Sequence, residues 1–518
     1  MVNAGQCTGR ETRLAELIAA LSLATDLGMG QPLEFALRVA TLAVELGKAL
    51  GLETGQLADV YYLALVKHIG CTSDSFEFAG FSGGDDIAFR RRALLWPAAA
   101  PSEVLGQLVR HTGEGRPAIE RARLVAGMMA AGKKRPRDSV VAHCEAGGRL
   151  VERLGLSDGV RLGLFQEQER WDGKGLPDGL AGEQLSIAHR VVMVAHDAVG
   201  VAQAGGDAVR TVTARADHAY DPAVAGVFAE VWPVFAAAGS VNAWEQVLAA
   251  EPGQPVTVGE ADIDRVALAI ADFTDLKSPY LLGHSTRVAG LAAAAAEAAG
   301  ISPAGRIALR RAALLHDVGR IGIPNGIWDK PGPLTAAELE RVRLHPYYSK
   351  RVLARSPVLA SLAVIAGSHH ENLDGSGYHR GIGAAQLDPT ARMLRAADCF
   401  DALLSERPHR PAFDRDGAAR ELKAEVDGGR LDAEAVAAVV EASGGGPVRL
   451  RSPRPGGLSQ REVEVLRLLV QGLTNKQIGA RLYISPKTAG HHVEHIYTKI
   501  GVTSRAAAAL FAMESGLV

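Results

Sequence analysis

Through most of the chain, Ala-, Leu- and Val-rich stretches carry Arg and Glu at helical spacing. That period gathers apolar residues on one helix face. Alternating Val/Ile/Thr runs, the mark of half-buried strands, are scarce. The pattern predicts an all-α protein. Two stretches interrupt it. EPGQPVTVGE, residues 251–260, is a weak seam. GGGPVRLRSPRPGG, residues 444–457, is a linker: Gly and Pro stop a helix, and three arginines keep the chain solvated.

The apolar pattern also repeats. Residues 35–71 match 284–320 without a gap, with RVATLA against RVAGLA and ALVKHIG against ALLHDVG. Residues 143–196 match 345–398, with ERWDGKGLPDG against ENLDGSGYHRG. The change of offset leaves 47 extra residues in the first copy, between Cys71 and His143. The shared order predicts a duplication. The expected domains are a first module over 1–250 with an insertion, a second over 260–440, a linker over 441–456, and a small domain over 457–518. A chain of 518 residues accommodates this at ~150 residues per domain.

Composition adds limits. Hydrophobic residues at 47% and charged residues at 22% exclude a largely disordered chain. The net charge of −2 excludes a polycation. From Leu458 onward, however, seven basic residues face four acidic ones, and Arg449, Arg451 and Arg454 precede them. A basic tail on an acidic body points to nucleic acid at the tail. The N-terminus lacks a secretion-signal profile, and no apolar run reaches ~18 residues. A cytoplasmic protein with no membrane partner is expected. Cys7, Cys71, Cys144 and Cys399 form no CxxC pair, which argues against a zinc ribbon or disulfide framework.

The second module holds an unusual set of metal-ligand residue types: His284, His316, Asp317, His345, His369, His370 and Asp398. Most sit just inside apolar segments; Ala313, Leu314 and Leu315 precede the His-Asp pair, and Val364, Ile365 and Ala366 precede the His-His pair. Buried imidazoles and carboxylates need partners, and a shared metal site satisfies them together. One such histidine is usually a satisfied core residue; a set of seven is not. Imidazole with carboxylate suits Fe, Mn, Zn, Ni or Co. Seven ligands exceed one tetrahedral site and suit two divalent transition metal ions sharing a carboxylate, an arrangement that serves in-line displacement at phosphorus.

The motifs GHSTRV, LLHDVGRIGIP, a later HP, HHENLDGSGY and ADCFDAL occur in that order. In this the stretch 265–425 resembles the HD-GYP subgroup of the HD phosphohydrolases. The resemblance implies a helical bundle, a two- or three-metal centre with Fe or Mn foremost, and hydrolysis of cyclic di-GMP or a related cyclic dinucleotide. It implies the seven residues above as metal ligands, with Asp317 bridging. It places Arg320 beside Asp317 in the catalytic set, as a contact to substrate phosphate where the family has lysine; arginine keeps the charge and changes its geometry. Asp374, Gly377, Tyr378 and Arg392 become substrate-binding candidates. Asp374 with Gly375 reads equally as a turn, and Arg392, Asp401 and Arg407 read equally as scaffold ion pairs. The chain departs from the family at His379, where the signature Gly-Tyr-Pro becomes Gly377-Tyr378-His379. Tyr280 stands where three-metal members carry glutamate, which favours two ions.

The first module has lost the ligands. Phe35 aligns with His284, Lys67 with His316, His68 with Asp317, Glu167 and Gln168 with the His-His pair, and His196 with Asp398; His143 alone is retained. A lysine in a ligand position repels a cation. A packing partner or a small-molecule sensor is expected there. The inserted FEFAGFSGGDD, Phe76 to Asp86, reads as a loop.

The tail reads as four capped helices. Ser459 with Glu462, and Thr474 with Gln477, form capping boxes. Ser485 precedes Pro486 at the start of a third helix, which Gly501 ends. Ser504 starts the last. On the third helix Ala489, Val493, Ile496 and Ile500 form one stripe, with Lys487, His491, Glu494 and Thr498 opposite. This suits a helix-turn-helix whose third helix enters the major groove, or a small oligomerisation domain. The run LSQREVEVLRLLVQGLTNKQIGARLYISPKTAGHHVEHIYTKIGVTSRAAA resembles the LuxR-type helix-turn-helix. That implies binding to double-stranded DNA, with Thr474, Lys476, Lys487, Thr488, Gly490 and His491 as contacts and a homodimer spanning two half-sites. Ala489 and Gly490 replace a valine and a basic residue usual in the family.

The expectation is therefore an all-α transcriptional regulator: tandem HD-type bundles, the first degenerate, joined to a four-helix reader. The second module would hydrolyse a cyclic dinucleotide. Alternatives are an effector-binding regulator without significant turnover, or action on another phosphate ester or by oxidative chemistry.

Overall fold

The computed structural model describes residues 12–95, 101–114, 116–131, 134–239, 242–444 and 455–518. Linker residues 445–454 lie outside this set. The described residues are helical apart from one two-stranded ladder, in which Thr12–Arg13 pairs antiparallel with Thr257–Val258. Arg13 also pairs with Glu251. The seam at 251–260 thus ties the start of the first module to the start of the second.

The duplication is visible helix by helix. Phe35–Ala49 corresponds to His284–Ala298, and Thr54–Val66 to Pro303–Leu315, each at the offset of the sequence match. Ile187–Gln203 corresponds to Pro389–Leu404. One difference has a local cause. The first module has a single helix, Lys134–Arg153, where the second has Ala336–Arg343 and His345–Leu353. Pro346 stands where the first module has Cys144; a proline offers no N–H to an uninterrupted helix and starts a new one comfortably.

A close approach is shared by the copies. A Cβ on Gly319 would lie 2.1 Å from the His345 carbonyl oxygen, and one on Gly70 would lie 2.3 Å from that of His143. Only glycine lets the turn after the His-Asp pair meet the helix that carries the next histidine.

The modules are packed together. Helix Leu14–Gly28 is apolar around nearly its whole circumference and buried along most of its length. Such a helix needs partners on all sides. It meets the helices of its own module and, across the seam, the 318–322 turn and helix His345–Leu353. A continuous apolar core runs through both modules.

The tail forms its four helices at Gln460–Val470, Asn475–Leu482, Pro486–Ile500 and Arg505–Glu514. Both capping boxes and the Ser485 and Ser504 caps are present, and Gly501 ends the third helix in the left-handed conformation. Ala489, Ile496 and Ile500 are buried. The last helix lies against Lys134–Arg153 of the first module, where Thr503 donates to Glu145.

Candidate metal centre

Helix Pro303–Leu315 delivers His316 and Asp317 at its C-terminal end, before the 318–322 turn. His284 opens the preceding helix, His345 starts helix His345–Leu353, and His369 and His370 follow helix Pro357–Ala366. Asp398 lies inside Pro389–Leu404. The fold brings these seven residues, distant in sequence, to one place. His284, His316 and Asp398 form one group of converging ligand atoms; His345, His369 and His370 form another; His316, Asp317 and His369 join them.

Asp317 sits between the groups. Its Oδ2 lies 3.4 Å from His284 Nε2 and 3.2 Å from His316 Nε2. Its Oδ1 lies 3.6 Å from His345 Nε2 and 3.4 Å from His369 Nε2. Asp398 Oδ1 lies 3.3 Å from His284 Nε2. Four imidazoles have their other nitrogen engaged. Nδ1 of His316 meets the Ala313 carbonyl at 2.7 Å, that of His345 the Val342 carbonyl at 2.6 Å, and that of His369 the Ala366 carbonyl at 2.6 Å. His284 Nδ1 meets Asp401 Oδ2 at 2.7 Å. An Nδ1–H donated outward leaves an Nε2 lone pair aimed inward, the usual arrangement of a metal-binding histidine.

The ligand set fits a cation pair by a test internal to this structure. His284 Nε2, His316 Nε2, both Asp317 carboxylate oxygens and Asp398 Oδ1 are buried without a hydrogen bond. Buried polar atoms ordinarily find partners; here these five atoms face one another, and the Arg320 guanidinium stands beside Asp317 Oδ2. Electrostatics divide the set. Burial opposes ionisation of Asp317, yet Arg320 and His316 hold its carboxyl well below the usual range. Burial likewise opposes a charged His284, but Asp317, Asp398 and Asp401 raise it to about 10. Burial, then the charge of His369, pushes His345 down, and burial with His369 and His345 does the same to His370. His345 and His370 are thereby kept neutral, as ligands must be, whereas His284 and His316, raised to about 10 and about 9 by the carboxylates they face, must lose a proton before they bind a cation.

The substrate candidates divide. Arg320 Nε lies 2.7 Å from Asp317 Oδ2, and its guanidinium rests 4.6 Å from the centre of the Trp328 ring. Tyr378 stacks on His370 with ring centres 4.7 Å apart. Gly377 packs against the backbone of 370–372. Asp374 accepts from the Ser376 amide at 2.9 Å, a turn contact on the exposed surface. Arg392 is not brought to the cluster: it binds Asp432 at 2.9 Å and the carbonyls of Leu387 and Ala384. Arg395, almost one turn on, reaches His370 Nδ1 at 3.2 Å instead.

Two further residues shape the site. Glu371 accepts from the amides of Arg380 and Ile382 and closes the 371–382 loop; Glu169 does the same in the first module for residues 178–180. The staple is the glutamate that opens both matched stretches, ERWDG and ENLDG, and its retention in the repeat was the available signal. Asp401 orients His284 and is held by Arg287 at 2.8 Å. Its place three residues after Asp398 on one helix was the available signal. Asp401→Asn should lower metal affinity about 10–100-fold with the fold retained, as competition with a metal-sensitive chelator will show.

In the first module the equivalent space holds an internal ion-pair network. Glu167 lies 3.5 Å from Lys67 Nζ, 3.3 Å from His68 and 2.9 Å from His143, and His68 meets His196 at 2.9 Å. Lys67 and His143 supply positive charge where the second module gathers ligands. Among the described residues, the groups of three converging ligand atoms all lie in the second module.

The profile of the HD domain matches residues 133–224 and 269–435, and that of the LuxR family of bacterial regulatory proteins matches 457–512. The chain belongs to the HD-domain phosphohydrolases. It is an HD-GYP-type enzyme, metal-dependent by its ligand set, fused to a LuxR-type helix-turn-helix domain. It is 32% identical over 411 residues to the 3′3′-cGAMP-specific phosphodiesterase 3 of Vibrio cholerae, covering 78% of this chain and 89% of that protein. It is 40% identical over 142 residues to a cyclic di-GMP phosphodiesterase of Thermotoga maritima, covering 27% of this chain and 39% of that one. Its fold resembles the crystal structure of a cyclic GMP-AMP specific phosphodiesterase of V. cholerae, with TM-score 0.59 and 28% identity over 85% of this chain and 99% of that one.

In the LuxR-type domain, Thr474, Lys476, Lys487, Thr488 and His491 are exposed, and Gly490 is half-buried. Thr474 and Thr488 also serve the caps of their helices. No helix among the described residues is long and apolar enough to cross a membrane.

Proposed function

We propose that the second HD module hydrolyses a cyclic dinucleotide, with 3′3′-cGAMP foremost and cyclic di-GMP second, and that the LuxR-type domain binds double-stranded DNA as part of a cytoplasmic homodimer. The observation that carries the hydrolase reading is the division of Asp317 between two groups of inward-facing ligands. His284, His316 and Asp398 would hold one ion and His345, His369 and His370 the other, with Asp317 bridging; Fe or Mn suits this donor set. Ions held there would supply an acidified water and charge neutralisation at phosphorus.

The chain's own groups do the rest. Arg320 faces the cluster and is the group placed to neutralise a non-bridging phosphate oxygen. Its pairing with Asp317 and its stacking on Trp328 fix the guanidinium, so little reorganisation is needed when substrate enters. Tyr378 and the Gly377 backbone border the His370 side and offer an aromatic surface to a base. The preference for 3′3′-cGAMP rests on the extent of similarity: the match to phosphodiesterase 3 is too long for one module alone, whereas the T. maritima match is not.

The test is turnover of 3′3′-cGAMP, cyclic di-GMP and cyclic di-AMP by the metal-loaded full chain, followed by chromatography. Faster conversion of 3′3′-cGAMP to linear product is expected. Binding of a cyclic dinucleotide without conversion would favour the effector-sensing alternative.

A further inference from the structure

The inserted segment of the first module reaches the second at a buried polar junction. Asp86, Lys277 and Asn325 are each at most 1% exposed. Asp86 Oδ1 accepts from the Asn325 backbone amide at 2.8 Å, and Asp86 Oδ2 from Lys277 Nζ at 3.4 Å. The Gly326 amide donates to the Gly84 carbonyl at 2.9 Å. A Cβ on Gly326 would lie 2.4 Å from that carbonyl oxygen, so the two loops meet backbone to backbone.

This junction ends at the metal centre. Asn325–Trp328 is a single helical turn, and Pro324, which precedes it, has no side-chain oxygen to cap it. Asp86 fills that role from the other module. At the far end of the turn, the Trp328 indole donates to the Arg320 carbonyl at 3.3 Å. Its ring carries the Arg320 guanidinium and meets the His345 ring edge-on at 5.4 Å. The path from Asp86 to Arg320 is therefore one capped turn and one indole.

We propose that Asp86, carried by the inserted segment of the degenerate module, is a positioning residue for Arg320 of the catalytic module. This gives the insertion a role that the repeat itself lacks: the second module's turn takes its cap from the first. The inference rests on the reading of Arg320 as the phosphate contact, and its test separates the two.

The experiment uses the full chain with Asp86→Ala, which removes the oxygen that caps the turn; Asp86→Asn would keep an amide oxygen able to accept from the Asn325 amide. Arg341→Ala is the control: it breaks the exposed Arg341–Asp85 pair at the same junction. Amide exchange is read by mass spectrometry, alongside metal content, kcat and KM. Exchange over 318–329 should quicken at least about tenfold in Asp86→Ala and stay unchanged in helix 14–28 and in the control. Metal content should be retained, and kcat/KM should fall at least about tenfold, mainly through kcat, as expected when a transition-state contact is mispositioned. Unchanged exchange over 318–329 overturns the proposal, as does quickened exchange with wild-type kcat/KM. If the wild type converts no cyclic dinucleotide, the functional reading fails by itself and the exchange result alone decides the positioning. Should the Ala variant not fold, Asp86→Glu shifts the acceptor by one methylene and is read in the same way.

Discussion

Asp317→Ala should abolish phosphodiesterase turnover, by several orders of magnitude, and remove bound metal from an otherwise folded chain. The magnitude follows from position. Asp317 is the one carboxylate with an oxygen toward each group of ligands, at 3.2 Å from His316 and 3.4 Å from His369. Its loss removes a ligand from both groups together. It also leaves Arg320 without its carboxylate partner in a buried setting, so the guanidinium proposed to meet the phosphate loses its anchor. Folding should survive, because the core around Ala312, Ala313, Leu314 and Leu315 is untouched. Metal analysis, circular dichroism and turnover on one preparation provide the check. Normal turnover by Asp317→Ala would refute the dinuclear reading.

The second large effect is expected in the reader. Lys487 and His491 are exposed near the start of helix Pro486–Ile500, opposite buried Ala489 and Ile496. If Lys487 contacts a phosphate, Lys487→Ala should weaken binding to all DNA sequences alike and reduce the salt slope by about one. His491 lies one turn further on and would face a base edge if the helix enters the major groove. His491→Ala should relax sequence preference by roughly 1–3 kcal/mol. Gel-shift titration of the full chain at several salt concentrations measures both. Equal, salt-insensitive affinity of wild type and the double variant would show that this helix is not the reading element, and would revive the oligomerisation reading of the tail.

What could be read from sequence was local or repeated. The caps at Ser459, Thr474, Ser485 and Ser504 each depend on a few adjacent residues, and each is present. The candidate ligands were legible because imidazoles and carboxylates in apolar segments conflict with burial unless they share a partner. The duplication predicted matching helices, and the offsets carry over to their ends. The unread parts depend on distant pairings. The Thr12–Arg13 ladder is too short for an alternation signal. The stretch FEFAGFSGGDD reads as a loop, but the structure makes Ser75–Ser82 a helix and Asp86 the first residue of helix Asp86–Ala93; the reach of Asp86 to residue 325 has no local signal. Arg392 and Arg395 are similar as residues; a helical turn separates the one that braces Asp432 from the one that reaches His370.

The central claim is that the second module alone holds a pair of transition metal ions. Its most direct test is metal content per chain by mass spectrometry for the full-length protein, for His316→Ala and for His143→Ala. Two ions per chain in the wild type, a marked loss in His316→Ala and no change in His143→Ala is the predicted result. Tightly bound metal that survives His316→Ala but is lost with His143→Ala would place the metal in the first module and contradict the account.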